Sequence, residues 1–111
     1  MVYYAKYLEF LEEARTELLA QKGVSIDKLA KEGILFVVYR QEIDYKFPSF
    51  LADNLEIVTR IADVSKVSIE FVYEIRNQNH QTVVQAKTIM VCVDKNFKPK
   101  SIPEEIRKKI S

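Results

Sequence analysis

Hydrophobic positions in the first twenty-odd residues recur in steps of three and four. Tyr4, Tyr7, Leu8, Leu11, Ala14, Leu18 and Leu19 therefore share one face of a helix, expected from about Ala5 to Lys22. Glu9, Glu12 and Glu13 lie toward its beginning and Lys22 at its end, a distribution that suits the helix dipole, and Gly23 occupies the place of a left-handed cap. Ser25 opens a second, short helical stretch, SIDKLAKEG, closed by Gly33. After Gly33 the period drops to two. In ILFVVYRQEIDYK, alternation puts Val37, Tyr39, Gln41, Ile43 and Tyr45 on one side of a strand and Arg40, Glu42, Asp44 and Lys46 on the other. LEIVTRIAD carries Leu55, Ile57, Thr59 and Ile61 on one face, and KVSIEFVYEIRN carries Val67, Ile69, Phe71, Tyr73 and Ile75. A turn around Asp63 to Ser65 joins these two as a hairpin, and NQNHQ forms a second turn. TVVQAKTIMVCVD then gives a fourth strand, with Ala86, Thr88, Met90 and Cys92 on one face and Val83, Ile89, Val91 and Val93 on the other; apolar character on both faces suits a central strand or an interface. Ser101 and Glu104 have capping-box spacing before a short terminal helix. The fold class is α+β: a long amphipathic helix followed by four antiparallel strands that must bury their apolar face against it.

Composition narrows the function. At 111 residues and 48% hydrophobic, the chain fits one domain spanning residues 1–111. Seventeen Lys plus Arg against sixteen Asp plus Glu leave a formal charge of +1, which argues against nucleic acid as a partner. Cys92 is the lone cysteine, no segment reads as a signal peptide, and no run is long enough to span a membrane, so a cytoplasmic location is expected. One His and one Cys make no recognisable metal-ligand set, and no cofactor is expected.

Three stretches, VYYAKYLEFLEEARTELL, FVVYRQEIDYKFPSFLADNLEI and VCVDKNFKPKSIPEEIR, together resemble the hotdog-fold thioesterases of the 4-hydroxybenzoyl-CoA thioesterase family. The subgroup they are most similar to is that of the short-chain acyl-CoA thioesterases associated with the Tol-Pal system. The resemblance implies a curved antiparallel sheet wrapped around the long helix, edge-joined homodimers or homotetramers, and hydrolysis of small acyl-CoAs at sites between subunits. It also implies a further N-terminal strand and a catalytic aspartate a few residues before the position of Tyr4; the sequence begins after that point, so the 111-residue form is expected to hydrolyse poorly. The alternative is a non-catalytic module that binds acyl-CoA or a protein partner.

Thioester hydrolysis needs a group that polarises the carbonyl oxygen and a group that attacks the carbon or activates water. The resemblance assigns the first task to the backbone N–H of Tyr4, where free amides and the positive end of the helix dipole meet a developing oxyanion, with Val2 and Tyr3 shaping the approach. Without the resemblance, Tyr3, Tyr4 and Tyr7 read as packing residues. Glu9 is a poor attacking group: it lies about 7.5 Å along the axis from Tyr4 and roughly 140° around it. By resemblance, Lys66 and Ser68 meet the phosphates of coenzyme A. Lys95, Lys98 and Lys100 are weaker candidates for the nucleotide. His80 is read as an exposed turn residue and Cys92 as packing, since no basic group is placed to activate its thiol.

Overall fold

The computed structural model describes residues 4–48 and 54–111, Tyr4 by its backbone alone. The long helix α1 runs Tyr4–Gln21 and α2 runs Ile26–Lys31. The strands follow as β1 Leu35–Tyr45, β2 Glu56–Val64, β3 Ser68–Arg76 and β4 Thr82–Val93, and α3 spans Glu104–Ile110. The strands form one antiparallel sheet in the order β1-β4-β3-β2. The doubly apolar β4 is thus central, and β1 and β2 form the edges.

Gly23 ends α1, with φ at +80°, where a side chain would be strained. Its N–H donates to Ala20 O at 3.0 Å and that of Val24 to Leu19 O at 2.8 Å, so two of the helix's last carbonyls are satisfied. Charge plays no matching part: the first turn holds no acidic residue and the last no basic one, because Glu9 falls in the second turn and Lys22 just outside. Ser25 caps α2 as expected, its hydroxyl accepting from Lys28 N at 3.3 Å. The capping box at Ser101 does not form. Ile102 is buried and its N–H donates to Lys66 O at 2.9 Å, which holds this stretch extended; Pro103 becomes the residue before α3, and its carbonyl accepts from Ile106 and Arg107.

Strand β3 alternates as its sequence demands, with Ile69, Phe71, Tyr73 and Ile75 buried toward the helices. Beside them lie Val84, Ala86, Thr88, Met90 and Cys92 of β4, and Tyr7, Leu11 and Leu19 of α1 close over the same core. Ile102, Ile106 and Ile110 join from the C-terminal segment, Val24 and Leu29 from around α2. Full burial of a side chain such as Leu11 or Leu19 contributes about 1.5–3 kcal/mol.

The edge strands depart from simple alternation. Between Val38 and Arg40 the β1–β4 register shifts, because Tyr39 is an extra residue opposite no partner. Phe36 and Val38 therefore share the inner face with Gln41, Ile43 and Tyr45, while Val37 and Tyr39 do not, contrary to strict alternation. A similar shift at Ala62 lets Val64 follow Ile61 onto the inner face of β2. On the outer face, Lys87 Nζ lies 3.7 Å from carboxylate oxygens of both Glu42 and Glu70. These pairs are partly exposed and contribute little to stability.

Candidate active site at the start of α1

The first four N–H groups of an α-helix have no partner within it. In α1 these amides begin at Tyr4, and no acidic side chain in the first turn competes for them. One turn in, Tyr7 is nearly fully buried and its ring meets that of Tyr45 edge-on at 5.6 Å, with Phe10 at 6.2 Å on its other flank. Because Tyr45 belongs to β1, this aromatic contact seats the open end of the helix beside an edge of the sheet.

From Tyr45 a partly exposed strip climbs the inner face of β1 through the half-buried Ile43 and Gln41 to Val38. Val38 and Tyr45 are 47% and 51% exposed, high values for apolar residues on a face that is otherwise core. Behind the strip runs a chain of hydrogen bonds. The buried Tyr73 hydroxyl donates to Thr88 Oγ1 at 2.9 Å, Thr88 Oγ1 donates to Gln41 Oε1 at 2.9 Å, and Gln41 Nε2 donates to the Lys87 carbonyl at 3.1 Å. Thr88 is fully buried, and the chain satisfies it and the Tyr73 hydroxyl without water. Alternation put each of these three residues on a strand face with apolar neighbours but did not join them. The signal was there in Gln41 and Thr88, polar residues inside apolar period-two patterns.

The other candidates scatter. Tyr3 lies outside the described residues, as does the side chain of Tyr4. Lys66 is exposed in the loop between β2 and β3, beside a shallow hollow it lines with Ser101, Arg107 and Lys108. Arg107 and Lys108 stand some forty residues from Lys66 in the sequence, and the fold brings them beside it. Ser68 is half-buried, and its hydroxyl shares a 2.6 Å hydrogen bond with that of Ser65, which in turn accepts from Ser68 N at 2.9 Å. Glu9 is exposed and pairs with Lys6 at 3.1 Å; Glu12 and Glu13 are exposed as well. His80 sits exposed in the β3–β4 turn at φ 60°, its N–H donating to Asn77 O. Cys92 is fully buried, and burial pushes its thiol pKa up against the smaller opposing effect of Lys100, so it packs as a neutral group. Lys95 lays its side chain over Gly33, and Lys98 and Lys100 are exposed in the segment after β4. Among the described residues no group of three or more His, Cys, Asp or Glu is gathered to hold a metal ion, and no helix is long and apolar enough to cross a membrane.

This geometry has close counterparts. The family model described as the thioesterase-like superfamily matches residues 1–110. The acyl-CoA thioester hydrolase YbgC of Escherichia coli is 36% identical over 107 residues, which is 96% of this chain and 80% of that protein. Among solved structures, a protein of Aquifex aeolicus superposes with a TM-score of 0.91 at 29% identity, covering 100% of this chain and 86% of its own. A probable thioesterase from Bartonella henselae reaches 0.83 at 32% identity, covering 92% and 85%. With one model matching nearly end to end and these likenesses covering both partners, the chain belongs to the thioesterase-like superfamily and has its hotdog fold.

Proposed function

We propose that the protein hydrolyses the thioester of small acyl-CoAs to the free acid and coenzyme A, at the start of α1. The observation that carries this reading is the 36% identity to an acyl-CoA thioester hydrolase over 96% of the chain. The geometry adds a means. A thioester carbonyl placed against the Tyr4 N–H has its oxygen polarised by that donor and by the positive end of an eighteen-residue helix. Water then adds to the carbon, negative charge gathers on the oxygen, and collapse of the adduct breaks the C–S bond, the thiolate of coenzyme A taking up a proton. The attacking water needs a base. Glu9 does not suit the task, being exposed and paired with Lys6, and the family resemblance gives the part to an aspartate ahead of α1.

The uncovered edge of β1 supports assembly through sheet edges into a homodimer or homotetramer, which would place each site at a subunit boundary. Lys66, helped by the neighbouring Arg107, is assigned the phosphates of the nucleotide, with Ser68 and Ser65 shaping the loop that carries it. The test is thiol release from a panel of acyl-CoAs, repeated with Lys66→Ala. Slow release from at least one short or aromatic acyl-CoA is expected, with KM raised roughly three- to tenfold in the variant and kcat nearly unchanged, because the phosphate is held alike in ground and transition states. A KM that stays put removes Lys66 from the site; no release from any member of the panel contradicts the hydrolase reading.

A further inference from the structure

The hydrogen-bonded chain behind the β1 strip leaves one donor unspent. Tyr73 donates to Thr88, so the single Thr88 proton goes to Gln41 Oε1, and the carboxamide is held by its oxygen on Thr88 and its nitrogen on the Lys87 carbonyl. That nitrogen carries two hydrogens. One goes to the Lys87 carbonyl, and among the described residues the second has no partner. Gln41 is half-buried on the inner face of an edge strand, in the same strip as Ile43 and Tyr45, and Tyr45 touches the first turn of α1 through Tyr7. A core has no need of this arrangement, since apolar residues of similar shape can replace a paired buried hydrogen bond at little cost. A pinned donor set among otherwise apolar residues is how a binding site reads one oxygen atom.

We propose that Gln41 is a specificity-determining residue, its free amide hydrogen binding an oxygen substituent on the acyl group, so that hydroxylated acyl groups are favoured over bare hydrocarbon ones. Thr88 and Tyr73 act through it as positioning residues. The proposal rests on the acyl-CoA reading above and deepens it. A site built to hydrogen-bond a substrate oxygen penalises the analogue that lacks it, because its own donor is then left dry.

The test uses two inert thioether analogues, phenacyl-CoA and hydroxyphenacyl-CoA, titrated calorimetrically into the wild-type protein, Gln41→Leu and Thr88→Val, with unfolding temperatures recorded in parallel. In the wild type the hydroxylated analogue should bind roughly tenfold tighter. In Gln41→Leu the ratio should fall to about one through loss of the hydroxylated analogue's advantage, and in Thr88→Val it should lie between, as the carboxamide is no longer pinned. Should a variant fail to fold, the Gln41 side-chain amide signal in the wild type decides: it should shift with the hydroxylated analogue and not with the bare one. A ratio near one in the wild type, or a ratio that survives Gln41→Leu, overturns this inference while leaving the acyl-CoA reading intact. Failure of both analogues to bind the wild type overturns that reading and this inference with it.

Discussion

Replacing Tyr4 with proline should lower kcat/KM for a good acyl-CoA substrate about 10²–10³-fold, the loss typical when one oxyanion donor is removed. The substitution is unusually selective. Tyr4 is the first residue of α1, where proline's fixed φ suits the helix and the missing N–H breaks no helical hydrogen bond. The variant should thus fold and keep an unfolding temperature close to that of the parent. Tyr4→Phe, which keeps the N–H, should retain most activity. The two together separate the main-chain donor from the side-chain hydroxyl, and equal losses in both variants would mean that the hydroxyl, not the amide, matters. Thiol-release kinetics on the three proteins give the answer.

Phe71→Ala should destabilise the fold by about 3–5 kcal/mol, a large share of the roughly 5–15 kcal/mol that holds a domain together. Phe71 is fully buried on β3, which is paired on both sides, facing Ile61 across one ladder and Thr88 across the other. Its removal takes a fully buried aromatic ring out of the core, where strands on either side limit collapse into the void. Urea unfolding measures it: the midpoint should drop and the slope should hold. A loss below about 1 kcal/mol would mean that the layer between sheet and helices repacks freely, at odds with the burial of its neighbours.

Much of the architecture was legible because local signals and burial agree. Residues Ile69 to Ile75 alternate cleanly since β3 has neighbours on both sides and one face on the core, and α1 stops where Gly23 permits a positive φ. The misreadings share a cause. At Tyr39 an extra residue resets the alternation, and a bulge shows only in the pairing with the adjacent strand, not in the polarity of the residue that makes it. The capping box at Ser101 failed for a comparable reason: a hydrogen bond from Ile102 to the distant Lys66 outweighed a local motif.

The candidate site was less legible. Nothing in the periodicity of VYYAKYLEF distinguishes an oxyanion donor from an ordinary first turn; only the resemblance singled out Tyr4. Gln41, Thr88 and Tyr73 are spread over three strands, and their hydrogen bonds exist because the shifted register of β1 sets Gln41 directly opposite Thr88. Strict alternation from Val37 already put Gln41, Ile43 and Tyr45 on one face, and only its far end was misread, with Tyr39 in the place that Val38 takes.

The proposed hydrolysis depends on a thioester oxygen being held by the main chain where α1 begins. A crystal structure with an inert acyl-CoA analogue tests it most directly. The analogue's carbonyl oxygen is expected at about 2.7–3.1 Å from the Tyr4 nitrogen, with its acyl group lying along Tyr45 toward Gln41. A carbonyl bound away from the first turn of α1, with the Tyr4 N–H facing solvent, would contradict it.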